Sequence, residues 1–329
     1  MGASAAWHLA QAGARVTLIE RSFQDVSSAT AMSFGWVGAS ASTPADDPTA
    51  YAYRLQALRE FGRLERELGC LPMAARGALL WRDTDDETAA MIAAHRAAGT
   101  SMQGLDRWQV ALMEPLLAKP PALAAWAPDD FALEPAALAR QLLAGAQAAG
   151  ANLREAAVNG LLVAGDRITG IWLDGEKLAA DAVVLANGYG AGGLARTVGV
   201  ELALRESPAV LIRFAAQQGI RHLICAQDME LRPSLGAGLV SAADYPENGA
   251  AGLPALAART AQGVARLLGW RAAPAPLSIT AAQRPMSVDG KPLCGPVGGV
   301  EGLHALLAHP GVILAPLLGR LCAQAVLAR

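Results

Sequence analysis

The sequence predicts a mixed fold, part α/β and part α+β, on three observations. Residues 2–13 (GASAAWHLAQAG) place Ala6, Leu9 and Ala10 at helical spacing, then pass through Gly13 into RVTLIE, a short β-branched run closed by Glu20. Residues 181–186 (DAVVLA) are a short apolar run of the kind found in parallel strands buried on both faces. From 208 to 240, short strand-like runs follow one another with turn residues between them, as in an antiparallel meander.

Composition narrows the function classes. A length of 329 residues allows one large domain or two ordinary ones, and 53% hydrophobic residues exclude a disordered chain. With 27 Lys+Arg against 29 Asp+Glu, nothing favours a nucleic-acid binder driven by bulk charge. Cys70, Cys225, Cys294 and Cys322 lie far apart, and the five histidines have no metal-ligand spacing. No disulfide framework and no metal site are therefore expected, and a reduced, cytoplasmic protein is. The most apolar stretch, 303–318, is interrupted by His304, His309, Pro310, Gly311 and Pro316 and falls short of the ~20 residues a membrane span needs. The apolar N-terminus has no Lys or Arg ahead of it, so it does not read as a signal peptide.

Further along the chain, 51–68 reads as a helix with Leu55, Leu58, Phe61, Leu64 and Leu68 on one face, and 87–98 as a second. Residues 77–82 and 108–128 read as short strand-like or loop pieces. Residues 134–149 form a strong helix with Pro135 in its first turn and Gly150 after its end. Strands follow at 152–155, 157–163 and 167–173, turning at Gly165-Asp166 and Asp174-Gly175. Residues 253–268 form another helix.

Helix, glycine, strand and terminal acid over residues 2–20 make the second half of a dinucleotide-binding βαβ unit, in which the acid accepts ribose hydroxyls. Gly2 fits the third fingerprint glycine; the first two glycines and the strand before them have no counterpart. A full G-x-G-x-x-G does occur at 188–193, after a strand. Only about two helical turns fit before Gly199, however, and no apolar strand ending in an acid follows, so it is a poor rival.

Two segments carry a family resemblance. MGASAAWHLAQAGARVTLIERS is similar to the N-terminal segment of the FAD-dependent D-amino acid oxidase and glycine oxidase superfamily. Near the C-terminus, Arg284-Pro285-Met286, Asp289-Gly290-Lys291-Pro292 and Gly295-Pro296, followed by His309-Pro310-Gly311-Val312, Ala315-Pro316 and Gly319, resemble that superfamily's closing segment. The resemblance implies a Rossmann-like FAD-binding domain, discontinuous over 1–50, 131–198 and 281–329, interleaved with an antiparallel-sheet substrate domain over 51–130 and 199–280. It implies FAD held by Gly2, Glu20 and Arg21, by Ser27, Ser28 and Ser33 in the small-residue segment 27–40, by the backbone at Val158, and by Asn187 and Gly188. The start of the last helix, Gly311, Val312, Ile313 and Leu314, would face the flavin's pyrimidine edge, where free N–H groups stabilise negative charge.

The implied reaction removes hydride from the carbon bearing an amine, and the resulting imine hydrolyses to a carbonyl compound. Arg284 would bind a substrate carboxylate and His309 would lie near the flavin ring. The substrate is expected to be a small amino acid or secondary amine, and the electron acceptor oxygen or a quinone. Only Lys119, Lys177 and Lys291 are present and none falls in the substrate sheet, so oxidase and dehydrogenase both stay open. Two alternatives are an FAD-free, non-catalytic remnant lacking the first strand and an NAD-dependent dehydrogenase, for which the closing segment has no purpose.

Overall fold

The computed structural model describes residues 1–24, 28–216, 219–226 and 229–328. The chain opens with helix α1 (Gly2–Gln11) and strand β1 (Thr17–Glu20). A short β2 (Trp36–Val37) precedes the long helix α2 (Pro48–Leu68). Then come β3 (Met73–Trp81), α3 (Asp85–Ala97), β4 (Gln103–Asp106), α4 (Arg107–Met113) and β5 (Leu123–Leu133). Helix α5 (Pro135–Ala148) leads to β6 (Asn152–Glu155) and the meander β7 (Val158–Ala164), β8 (Arg167–Leu173) and β9 (Glu176–Ala179). Strand β10 (Val183–Leu185) and helix α6 (Ala191–Arg196) follow. Next are β11 (Leu204–Arg205), β12 (Pro208–Phe214), β13 (Leu223–Ala226), β14 (Met229–Pro233), β15 (Leu239–Asp244) and α7 (Leu253–Leu268). The last elements are β16 (Pro276–Gln283), β17 (Met286–Ser287), β18 (Leu293–Pro296), β19 (Leu303–Leu307) and α8 (Gly311–Leu327).

Local chemistry explains where the elements differ from their expected bounds. Helix α2 starts at Pro48 rather than 51, because the Asp47 side chain accepts from Ala50 N at 2.9 Å and Pro48 suits the first turn. A reciprocal Thr84–Glu87 capping box starts α3 at Asp85. The region expected to hold only short pieces contains β5, eleven residues long, and the capped helix α4. Strand β19 is a further addition: all five of its residues are buried, so no polar alternation marks it.

One large sheet runs β16-β12-β15-β14-β13-β3-β5-β2, with β4 also paired to β5. It is antiparallel except where β13 meets β3. Strand β2, within the first expected FAD-domain segment, pairs with β5, and β5 itself crosses position 131. The rest of the molecule is built on parallel pairs. Strand β1 pairs with β6, and β10 with β19, whose other edge takes β18 antiparallel. Leu18 and Val184 pack on the core formed by α1, α2, α5 and α8, whereas Ile19 and Val183 pack on the core beneath the β7–β9 meander. The two parallel pairs thus share the same two covering layers. The free edges of β1 and β10 have no strand partner among the described residues.

Candidate active site

Helix α1 begins beside the end of β10. A Cβ on Gly2 would lie 3.2 Å from Ala186 Cβ, so the helix start and the Ala186-Asn187-Gly188 turn come together. Neither α1 nor α8 has a side-chain cap or an acidic residue in its first turn. Their first N–H groups are therefore free of side-chain acceptors and suited to an anion. Parallel pairing of β10 with β19 sets Asn187 and Gly188 at the same sheet end as His309 and the start of α8. This is the carboxyl end of the strands, where open α/β sheets bind ligands. Ile313 and Leu314 are buried in the core, so only their backbone groups can face a ligand.

Glu20 closes β1 in register with Glu155 of β6, and both carboxylates are exposed. Glu20 accepts from Arg21 N at 2.9 Å and Glu155 from Phe23 N at 2.7 Å. Val158 starts β7 three residues later, so Glu20, Arg21 and Val158 cluster at this end. Ser28 Oγ accepts from Ala31 N at 3.2 Å, and Ser33 N donates to Thr30 O. Ser27 lies outside the described residues. The donor-rich helix ends, the acid at the strand end and the close approach at Gly2 fit a dinucleotide. They are the features of this chain that would hold FAD.

The large sheet carries the second group of polar side chains. Strand register puts Arg284, Thr280, Leu211, Arg213, Ala242, Glu230 and Arg232 on one face, because alternate residues share a side. Phe34 packs on that face, and its carbonyl accepts from Arg232 Nε. Arg284 is tied to the start of β12: its Nε donates to Ser207 O at 3.1 Å and to Ser207 Oγ at 3.0 Å, and its Nη2 to Pro208 O at 3.4 Å. His309 is depressed to about 4, first by burial and then by the positive charges of Arg284, Arg54 and Arg205. Its imidazole is neutral at pH 7, and Arg284 and His309 face the same region.

Sequence reading missed several polar groups around this sheet. Arg232 is 0% exposed and donates to Glu134 Oε1 at 2.9 Å and to Pro233 O at 2.8 Å. Arg213 reaches the other Glu134 oxygen at 3.3 Å. Burial alone would raise the Glu134 carboxyl, but the hydrogen bonds and charges of Arg232 and Arg213 outweigh it and hold the group below its usual range. Asp130 accepts from Trp36 Nε1 at 2.8 Å, from the backbone N–H groups of Ala39 and Ser40, and from Ser40 Oγ. Burial still pushes its carboxyl up to about 6. Strand alternation was the signal available: Glu230 and Arg232 in MELRP fall on the same side as the apolar Leu211 and Val240.

Among the described residues no group of three or more His, Cys, Asp and Glu could hold a metal ion. No helix among them is long and apolar enough to cross a membrane.

A family model described as "DAO: FAD dependent oxidoreductase" matches residues 1–325. Glycine oxidase of Pseudomonas aeruginosa (strain PAO1) is 28% identical, the match covering 98% of this chain and 91% of the relative. Glycine oxidase from Geobacillus kaustophilus superposes with a TM-score of 0.84 at 23% identity, covering 100% of this chain and 92% of that one. Iminodiacetate oxidase from Chelativorans sp. BNC1 gives 0.86 at 22% identity, covering 99% and 93%. The two structures show a shared fold, and the family match spans nearly the whole chain: the protein belongs to the DAO family of FAD-dependent oxidoreductases and is an enzyme of the glycine oxidase and amino acid oxidase type.

Proposed function

We propose that this enzyme oxidises the C–N bond of a small amino acid such as glycine or of a small secondary amine. The observation that carries the reading is Arg284, held on the large sheet's inner face by Ser207 and Pro208 and close enough to His309 to lower its proton affinity. A guanidinium fixed in this way receives a carboxylate in one orientation, which sets the adjacent amine-bearing carbon. FAD, when bound, supplies the two-electron acceptor for hydride from that carbon.

The chain's own residues do the rest. Gly2, Asn187 and Gly188 would meet the phosphates with small or backbone groups, Glu20 and Arg21 with Val158 would hold the adenosine end, and Ser28 and Ser33 would serve the stretch between; Ser27, assigned with them from the sequence, lies outside the described residues. The backbone at Gly311, Val312, Ile313 and Leu314, at the uncapped start of α8, would favour negative charge on a bound flavin. Neutral His309 adds no charge to a region already facing three guanidinium groups. Water hydrolyses the imine to a carbonyl compound and ammonia or an amine. The electron acceptor is oxygen or a quinone. We assign residues 1–50, 131–198 and 281–329 to the FAD-binding part and 51–130 and 199–280 to the substrate part, with β2 and the ends of β5 and β16 crossing these bounds onto the large sheet. All four cysteines are free, including Cys294 and Cys322, whose side chains are in hydrogen-bond contact, and this supports a cytoplasmic location.

The test is the visible spectrum of the purified chain before and after incubation with FAD, then anaerobic addition of glycine, sarcosine and D-amino acids. Bleaching of the bound flavin by one of these is expected. A protein that retains flavin but is bleached by none of them overturns the substrate class. Reoxidation by oxygen against a quinone then distinguishes the acceptors.

A further inference from the structure

Not all the charges on the inner face of the large sheet are paired. Arg213 and Arg232 share Glu134. Among the described residues Arg284 bonds to neutral oxygens, those of Ser207 and Pro208. Glu230 and Asp244 have no side-chain hydrogen bond or ion pair among the described residues. Glu230 sits mid-strand on β14, opposite Cys225 on one side and Ala242 on the other, and is half-buried. Asp244 ends β15 on the same face, opposite Ala209. Arg213 and Arg232 with their one shared carboxylate keep a surplus positive charge, and Arg232 Nη2 has no partner among the described residues. Beside that group the face carries Arg284 and two unpaired carboxylates, so both ends of a zwitterion find an opposite charge on it.

Register also sets the spacing. Glu230 aligns through Ala242 and Leu211 with Thr280, four residues before Arg284, and three strand steps separate β14 from β16. At ~4.8 Å per strand and ~3.3 Å per residue, the two Cα atoms lie about 20 Å apart on a flat sheet. That is too far for Arg284 and Glu230 to pair directly. A small molecule between two long side chains, on a sheet that curls, can meet both.

We propose that Glu230 binds the ammonium group of the substrate and takes its proton. The proposal rests on the amine-oxidising reading above. An amino acid enters as a zwitterion whose ammonium nitrogen has no lone pair, and hydride loss from the neighbouring carbon needs that pair. In the step, an N–H bond breaks, an O–H bond forms on the Glu230 carboxylate, and the N–H electron pair stays on nitrogen. The products are a neutral amine and a neutral carboxylic acid, and the proton later leaves to water.

The surroundings favour this role. Burial and then the charge of Asp244 raise the Glu230 carboxyl, bringing its proton affinity closer to that of an amine. The other groups facing this part of the sheet are Cys225, pushed up to about 11 by burial and by Glu230 itself, and Arg82, whose charge acts on that thiol. Arg213 and Arg232 lie one step along the face but are held by Glu134.

The test uses the FAD-loaded enzyme and the variants Glu230→Gln and Glu230→Asp, with anaerobic flavin bleaching by glycine and sarcosine followed against pH. Near pH 7 the Gln variant should be slower by about 100-fold, within the range general acid–base groups contribute. The deficit should shrink to a few-fold as pH approaches about 10, where amines lose the proton unaided. The Asp variant should recover part of the loss. Acetate, a carboxylate without an amine, should bind several-fold tighter to the Gln variant, because a repelling charge is gone. A structural role would slow the reaction equally at every pH and weaken acetate binding; either result overturns the proposal. If wild-type enzyme is bleached while the Gln variant follows a parallel pH profile, Glu230 alone is wrong. If no amine bleaches the wild type, the reading beneath the proposal falls with it.

Discussion

Gly319 in α8 crosses Ser4 in α1 so closely that a Cβ on the glycine would lie 2.2 Å from Ser4 Oγ and 3.0 Å from Ala5 N. Ser4 is fully buried, and one of the blocking atoms is backbone, so no simple side-chain rotation relieves the clash. The crossing fixes the relation of the two helices whose N-termini we assign to the cofactor. Gly319→Ala should cost about 1–3 kcal/mol, the usual range for overpacking, and lower the thermal midpoint by a few degrees. Gly193→Ala in α6 is the control, since a Cβ there meets nothing within 4 Å. Thermal unfolding followed by circular dichroism checks both; equal midpoints for the two variants would show that the crossing is not tight.

Glu134 is the next point of leverage. It stands at the N-cap position of α5, where its side chain makes no capping hydrogen bond, and pairs instead with fully buried Arg232. Glu134→Ala leaves that guanidinium uncompensated and should cost about 3–5 kcal/mol. Arg232→Met removes the buried charge instead and leaves Glu134 with Arg213, so its cost should be smaller. Urea unfolding of the two variants gives the comparison, and a milder effect for Glu134→Ala would contradict it.

Asp130 and His309 act on pH stability with opposite sign. Asp130 is raised from an ordinary carboxyl value to about 6, so the folded protein binds the extra proton first and stability from this group grows as pH falls from 6 towards 4. His309 is lowered to about 4, so the unfolded chain takes its proton first and stability is lost as pH falls from about 6.5 towards 4. The two slopes largely offset each other across one window. Asp130→Asn removes the compensating group, and its stability should fall more steeply than the wild type's between pH 6.5 and 4.5. Urea midpoints at the two pH values measure this, with parallel losses as the contrary result.

How far the sequence carried this picture depends on the range of the interactions. Local signals placed α1 and β1, the α5 helix behind Pro135, the meander turning at Asp174-Gly175, and α7. The closing motif singled out Arg284 and His309, which the structure brings to one region. What stayed hidden depends on distant pairing. Strand β5 contains Pro128, Asp129 and Asp130, which look like a loop; Asp130 points inward only because Trp36 and Ser40, some ninety residues earlier, donate to it. Arg232 is tolerable in a core only beside Glu134, 98 residues away, and no local pattern announces that pair. Glu230 gains its place from the order β16-β12-β15-β14, which strand periodicity alone does not specify.

Arg284 itself gives the sharpest test of the proposed substrate site. Its Nε and Nη2 are occupied by Ser207 and Pro208, which fix the plane of the guanidinium and leave the remaining N–H groups for the carboxylate we propose it binds. Lysine at this position keeps the charge but has no fork to hold it against the β12 backbone. Arg284→Lys should therefore raise KM for glycine by roughly 10- to 100-fold, equivalent to about 1–3 kcal/mol for a hydrogen bond to a charged group. Arg284→Ala should lose more and should also lose selectivity, because an amine without a carboxylate never used the arginine. The ratio of kcat/KM for glycine to that for ethylamine should fall at least tenfold in the alanine variant while the ethylamine value itself changes little. If both substrates lost activity in equal proportion, Arg284 would be supporting the sheet rather than reading the carboxylate.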